Sequence, residues 1–161
     1  MAQSDVRELP RIDQAFLALG LLILVASFLP WYRASYSTEF LGHRISGSGS
    51  THAWHGLAAV GVLFMLIATA VVAAQLFAAT ALPELKVSWN IVVVAVDALG
   101  AVFIVIRSLD LPSADGFSVS LRWGGWILIL AAIAQVVVAG LRFRASGESM
   151  PWAAGAGPTS D

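Results

Sequence analysis

Four apolar runs of about 20 residues, the length of helix that crosses a hydrocarbon core of roughly 30 Å, take up most of this chain. They lie at approximately 13–31, 55–80, 88–107 and 124–142. Such a sequence has few folds open to it, because a backbone in lipid must satisfy its own hydrogen bonds and a helix does so within one segment. Composition agrees: 58% of the 161 residues are hydrophobic, 12% are charged and the mean hydropathy is +0.82, too little polar surface to cover a water-soluble globule. The expected fold is an all-α membrane protein, a four-helix transmembrane bundle in the inner (plasma) membrane. Residues 13–144 form the bundle, 1–12 an N-terminal segment and 145–161 a tail. The tail, "ASGESMPWAAGAGPTSD", has the Gly, Ala, Pro and Ser content of a disordered end.

Arg7 and Arg11 precede the first run as in a signal peptide, but the run is longer than a usual signal core and no small-residue cleavage site ends it. It is read as a retained helix that Pro30 ends. Pro83 ends the connection between the second and third helices, which is short enough for an antiparallel hairpin. Arg7, Arg11, Lys86, Arg142 and Arg144 fall on one side, against Arg33, Arg44, Arg107 and Arg122 on the other. The two arginines ahead of the first helix place both termini in the cytoplasm. Trp31, Tyr32, Trp54, Trp123 and Trp126 then read as an aromatic belt at the outer boundary and Trp89 as its inner counterpart.

The two outer segments, 32–54 and 108–123, carry a strand signal. In "GFSVSLRWG" Phe117, Val119, Leu121 and Trp123 alternate with Ser118, Ser120 and Arg122, and weaker alternations run through "WYRASYST" and "HRISGSG" about a turn near Gly42. They predict a small extracytoplasmic antiparallel sheet that caps the bundle.

Steps of seven residues return a helix to nearly the same face. Asp13, Gly20 and Ser27 are so spaced, as are Gly61, Ala68 and Gln75, then Asn90, Asp97 and Ile104, then Gly125, Ala132 and Ala139. Small residues on these stripes let backbones approach, the packing that drives association in lipid.

Asp97 is the main functional clue. It sits at the middle of its span, level with Gln135 of the fourth helix and Thr69 of the second, while Gln75 lies nearer the cytoplasm; Asp97, Gln135, Thr69 and Asn90 are the residues expected to form an intramembrane polar or partner contact. A bare carboxylate at mid-bilayer costs at least ~2.5–3.5 kcal/mol, so Asp97 is expected to face inward, to be neutral at pH 7 and to hydrogen-bond to Gln135 as the first candidate, with Thr69 or a trapped water as the alternatives. Two roles fit it: a polar latch that sets helix register or meets a partner helix, and a proton- or cation-coupling site of a small transporter.

His43, His52 and His55, with Glu39, could compose an oxygen and nitrogen metal site. Histidines in a polar segment are ordinarily solvated, so no metal of functional consequence is expected there. Glu39 and Asp115 read as loop acids, and Gly124–Gly125 as close packing. The absence of cysteine excludes thiol redox chemistry. The singly spread basic residues present no stripe for nucleic acid. Nucleophile sets, paired acids and phosphate loops are lacking, and neither an enzyme nor a cofactor is expected. The partners expected are the lipid bilayer and a membrane-protein partner or a second copy.

"FLPWY", "HAWHGL", "IRSLDLP" and "LRWGGWILILAAIAQVVVAG" resemble the uncharacterised small four-helix integral membrane proteins of actinobacteria. The resemblance implies the fold and brings no activity with it. The topology is also distantly similar to the claudin group, although the Gly-Leu-Trp-Cys motif and its cysteines are absent, "WHGL" being a partial echo. Junction formation is therefore not carried across. These readings together predict a non-catalytic accessory or assembly subunit of a cell-envelope complex.

Overall fold

The computed structural model describes residues 9–83, 85, 87–110 and 117–148. Its elements are α1 (Arg11–Ser27), β1 (Tyr32–Phe40), β2 (His43–Thr51), α2 (Leu57–Phe77), α3 (Trp89–Leu109), β3 (Phe117–Leu121) and α4 (Trp123–Ala145). Each helix packs on two neighbours: α1 and α3 both touch α2 and α4. α2, α3 and α4 are long and apolar enough to cross a membrane, whereas α1, at 17 residues, is shorter than a full span. Leucines, valines and isoleucines such as Leu21, Val102, Leu130 and Val137 lie exposed on the helices, a surface suited to lipid and costly in water.

Helix ends follow local chemistry. α1 begins at Arg11, inside the expected N-terminal segment, and stops at Ser27 rather than running to Trp31. Pro30 disfavours helical geometry at Leu29, so the chain turns out before the proline itself. Gly56, at φ 61°, supplies the left-handed turn that opens α2. Ser88 caps α3 by accepting from the Asn90 amide at 3.1 Å.

The sheet has the order β2-β1-β3, all antiparallel. β1 and β2 are joined by the two residues Leu41 and Gly42, at φ 50° and 73°, the doubly left-handed turn that matches strand twist. The sheet is rooted on the helices through Trp31, whose amide donates to Thr51 O at 2.8 Å and whose carbonyl accepts from Arg122 N at 2.7 Å. Trp31 and Tyr32 are 1% and 5% exposed and stack on each other. They are core residues, not the belt residues expected, because the turn before Pro30 sends them into the ladder beneath α4. Trp123 and Trp126 do stand exposed.

The heptad stripes face inward: Asp13, Gly20, Ser27, Gly61, Ala68, Asp97, Ile104, Gly125, Ala132 and Ala139 are all buried. At the α2–α3 contact a Cβ added to Gly61 would lie 2.7 Å from Gly100 O, and one added to Gly100 would lie 2.8 Å from Gly61 O. Gly124 packs as closely on the Pro30 carbonyl and Gly125 on the Trp31 ring.

The interior is layered. An apolar cluster containing Ile23, Val62, Met65, Ile104 and Leu128 lies toward the sheet, and a second one of Phe16, Ala68, Val72, Val93 and Ala139 lies toward the termini. Asp97 and Gln135, both fully buried, occupy the level between them. The tail expected from Ala145 onward begins in an ordered way, with α4 ending at Ala145 and a turn through Gly147 at φ 70°. Residues 149–161 and Asp115 lie outside the described residues.

Candidate functional site

Asp97 reaches the interior because α3 presents Val93, Asp97, Gly100, Ala101 and Ile104 on one face. Gln135 comes to the same level on α4, one heptad from Leu128, and Thr69 does so on α2. Space for the Thr69 side chain comes from α1, where Gly20 packs so closely that a Cβ would overlap it. Gln135 Nε2 donates to Asp97 Oδ1 at 3.0 Å, to Thr69 Oγ1 at 3.1 Å and, longer, to Met65 O at 3.3 Å. Thr69 Oγ1 donates in turn to Met65 O at 2.8 Å. An amide carries two hydrogens, so the three acceptors share them.

Two atoms of this layer are left over. Asp97 Oδ2 and Gln135 Oε1 are buried without a hydrogen-bond partner. An unsatisfied buried acceptor costs ~1–3 kcal/mol, more where it is charged, so the layer lacks a donor.

A second polar layer lies one heptad nearer the termini, ~10 Å along the helices. Arg142 of α4 donates through Nε to Asp13 of α1 at 2.7 Å, through one terminal nitrogen to Asn90 of α3 at 2.5 Å and through the other to Gln75 of α2 at 2.7 Å. One guanidinium therefore ties all four helices, a use of its rigid fork of donors that lysine could not copy. Asn90 Nδ2 and Ser88 Oγ both donate to Glu148, which fastens the exit of α4 to the start of α3.

The residues expected to form one intramembrane polar contact thus divide. Asp97, Gln135 and Thr69 meet, while Asn90 belongs to the Arg142 clasp. Arg142 as a structural residue is missed by the sequence reading, which counts it among the charges that set topology. The signal is present: Leu128, Gln135 and Arg142 are a heptad on α4, matched in antiparallel register by Asn90 and Asp97 on α3.

The histidine set is scattered. His43 and Glu39 lie at the hairpin turn, with Glu39 opposite Arg44, and eight residue steps along the strand, about 26 Å, separate His43 from Thr51 at the far end of β2. His52 and His55 stack at 5.0 Å in the loop before α2 rather than on the helix. Among the described residues no three His, Asp or Glu side chains gather as a metal site requires.

At the sheet end, Tyr32 Oη donates to Arg107 O at 2.7 Å, with the Arg107 guanidinium 5.4 Å over the ring. Burial holds the Tyr32 phenol above its ordinary range, Arg107 opposing, so it remains a donor. Trp54 Nε1 donates to Ser27 Oγ at 3.0 Å and ties the loop before α2 to the end of α1.

Among the described residues, clefts of 490 and 250 Å³ open at the termini end. The larger is lined by Gln75, Pro83 and Trp89 and the smaller by Asp13, Asn90 and Arg142; Asp97 lines neither. No family model and no curated protein matches the chain.

Proposed function

We propose that this is a non-catalytic integral membrane protein, an accessory or assembly subunit of a larger cell-envelope complex. It is a four-helix transmembrane bundle with both termini cytoplasmic and the sheet on the outer face. The observation that carries the reading is the state of Asp97: the carboxyl is fully buried and accepts across helices from Gln135, which also donates to Thr69, and it lines neither cleft found among the described residues. A group so enclosed positions helices. A proton on Oδ2 completes the pairing, because a carboxylic acid and a primary amide are complementary: the amide N–H already serves Oδ1, and the acid O–H would serve Gln135 Oε1, supplying the missing donor. The resemblance to actinobacterial four-helix proteins supports the fold and leaves the partner unnamed.

The second reading is a small proton- or cation-coupled transporter. The same two unpartnered oxygens favour it, since each is a buried acceptor that a proton or cation would satisfy.

Asp97→Asn separates the readings. Its amide keeps the shape and places a permanent donor where the acid proton would lie, but it cannot titrate. For an assembly subunit, affinity purification in mild detergent recovers a stoichiometric partner from wild type and Asp97→Asn, and less of it from Asp97→Leu. If Asp97→Asn abolishes cellular function and flux in proteoliposomes while folding and partner recovery stay intact, the transporter reading replaces this one.

A further inference from the structure

The strand register gives the sheet two unlike faces. Directly opposed residues share a face, so one carries Arg33, Ser35, Ser37 and Glu39 of β1, Arg44, Ser46, Ser48 and Ser50 of β2, and Ser118 and Ser120 of β3. Ser35 and Ser118 hydrogen-bond across that face at 2.9 Å, and Arg33 donates to Ser48. The other carries Tyr32, Ala34, Tyr36 and Thr38, then His43, Ile45, Gly47, Gly49 and Thr51, then Val119 and Leu121.

Half of the second face is accounted for. Tyr32 is buried in the sheet-end core, and Val119 and Leu121 pack against it, so the root of this face sits on the helix ends. Among the described residues β3 pairs with Tyr32–Tyr36. Beyond it the sheet narrows to the two-stranded hairpin of residues 37–46, a structure marginal in water by itself. There the same face continues without cover from the described residues: Tyr36, whose ring lies across Gly47, and Ile45 are each 49% exposed, and Leu41 at the turn is 84% exposed. Leu41 also holds a left-handed φ of 50°, a position where Gly or Asn is the usual residue. A leucine there is strained and obtains no cover from the described residues.

We propose that the distal hairpin lies on the lipid headgroup layer, with Leu41 and Ile45 dipped into its apolar boundary and the Ser/Arg/Glu face turned to water. The inference rests on the reading that the helices cross a bilayer. Continuity of the face argues for this occupant: headgroups flank the helix ends on every side, so a face seated on those ends that runs on past them meets the interface. Apolar side chains opposite a polar face are the pattern of elements that lie in that plane. The hairpin then acts as an outrigger that holds the sheet at a fixed height and tilt against the membrane.

The chain has no cysteine, so single-site labelling needs no background substitutions. Leu41→Cys and Ile45→Cys on the apolar face, and Ser37→Cys and Ser46→Cys on the polar face, would each be labelled with an environment-sensitive fluorophore. The protein is reconstituted in phosphatidylcholine/phosphatidylglycerol vesicles and quenched by doxyl lipid or by aqueous iodide. Val102→Cys and Ile133→Cys, on exposed helix faces, report whether the helices lie in lipid. The expected result is doxyl quenching at 41 and 45 at least about twofold above that at 37 and 46, with iodide reversing the order. Iodide reaching all four sites equally overturns the proposal, as does protection of 41 and 45 from both quenchers, which would mean a protein partner or second copy covers them. If 102 and 133 escape doxyl lipid, the bilayer reading fails and the proposal with it; if they are quenched and the hairpin is not, the proposal alone fails.

Discussion

Asp97 and Arg142 solve the same problem differently. Each is a polar group brought into an apolar interior, but Asp97 has one amide partner and an acceptor to spare, while Arg142 directs three nitrogens to three helices. Their deletion should therefore cost different amounts. Intramembrane side-chain hydrogen bonds average only ~0.6 kcal/mol in double-mutant cycles, so Asp97→Asn should leave thermal unfolding in detergent nearly unchanged. Arg142→Met strands Asp13 as a largely buried carboxylate and should lose on the order of 3 kcal/mol. Adding Asp13→Asn to Arg142→Met should restore much of that loss, and a double variant no more stable than Arg142→Met alone would show that the pair is not what the clasp depends on. The Asp97 level is legible in the sequence because an acid amid apolar residues demands a partner, and rise per residue finds Gln135 and Thr69. The clasp is harder to see: an arginine near a helix end usually snorkels to the headgroups, and the Gly125–Ala132–Ala139 stripe draws attention from the neighbouring Leu128–Gln135–Arg142 stripe that carries the polar layers.

The elements are legible where periodicity speaks and blurred where proline and tertiary contact decide. Alternation finds all three strands and the turn near Gly42. It does not reveal that α1 stops at Ser27, since that depends on Leu29 and Pro30 jointly, or that Trp31 lies buried on Gly125. Glycines separate by what faces them. The reciprocal approach of Gly61 and Gly100 leaves no room for a side chain, so Gly100→Leu should destabilise the α2–α3 contact by about 1–3 kcal/mol or more through overpacking. Gly140, on the same kind of helix, has nothing within 4 Å of its missing Cβ, and Gly140→Ala should be neutral or stabilising by up to about 1 kcal/mol. Unfolding of both variants in one detergent tests the contrast, and equal effects would contradict the packing assignment.

For the whole molecule, layers of alternating polarity give each level of the stack its own register signal: a clasp at the termini end, an apolar layer, the Asp97 layer, a second apolar layer and the sheet. An antiparallel neighbour slipped by one turn would separate Asp97 from Gln135 and Asn90 from Arg142 at once. The proposed orientation, termini in the cytoplasm, predicts that an impermeant thiol reagent on intact cells labels Ser46→Cys and Ser118→Cys and spares Ser160→Cys. Labelling of Ser160→Cys with protection of the other two would invert the topology without disturbing the layers.

On the proposed function Asp97 is a neutral acid closed against Gln135. Infrared spectroscopy of the protein reconstituted in lipid at pH 7, with aspartate carboxyl groups isotopically labelled, reads it directly. The expected result is a protonated-carboxyl band that disappears in Asp97→Asn and shifts in Gln135→Leu, where the partner amide is gone. A spectrum in which Asp97 contributes only to the ionised carboxylate bands, with nothing lost from the protonated region in Asp97→Asn, would contradict it.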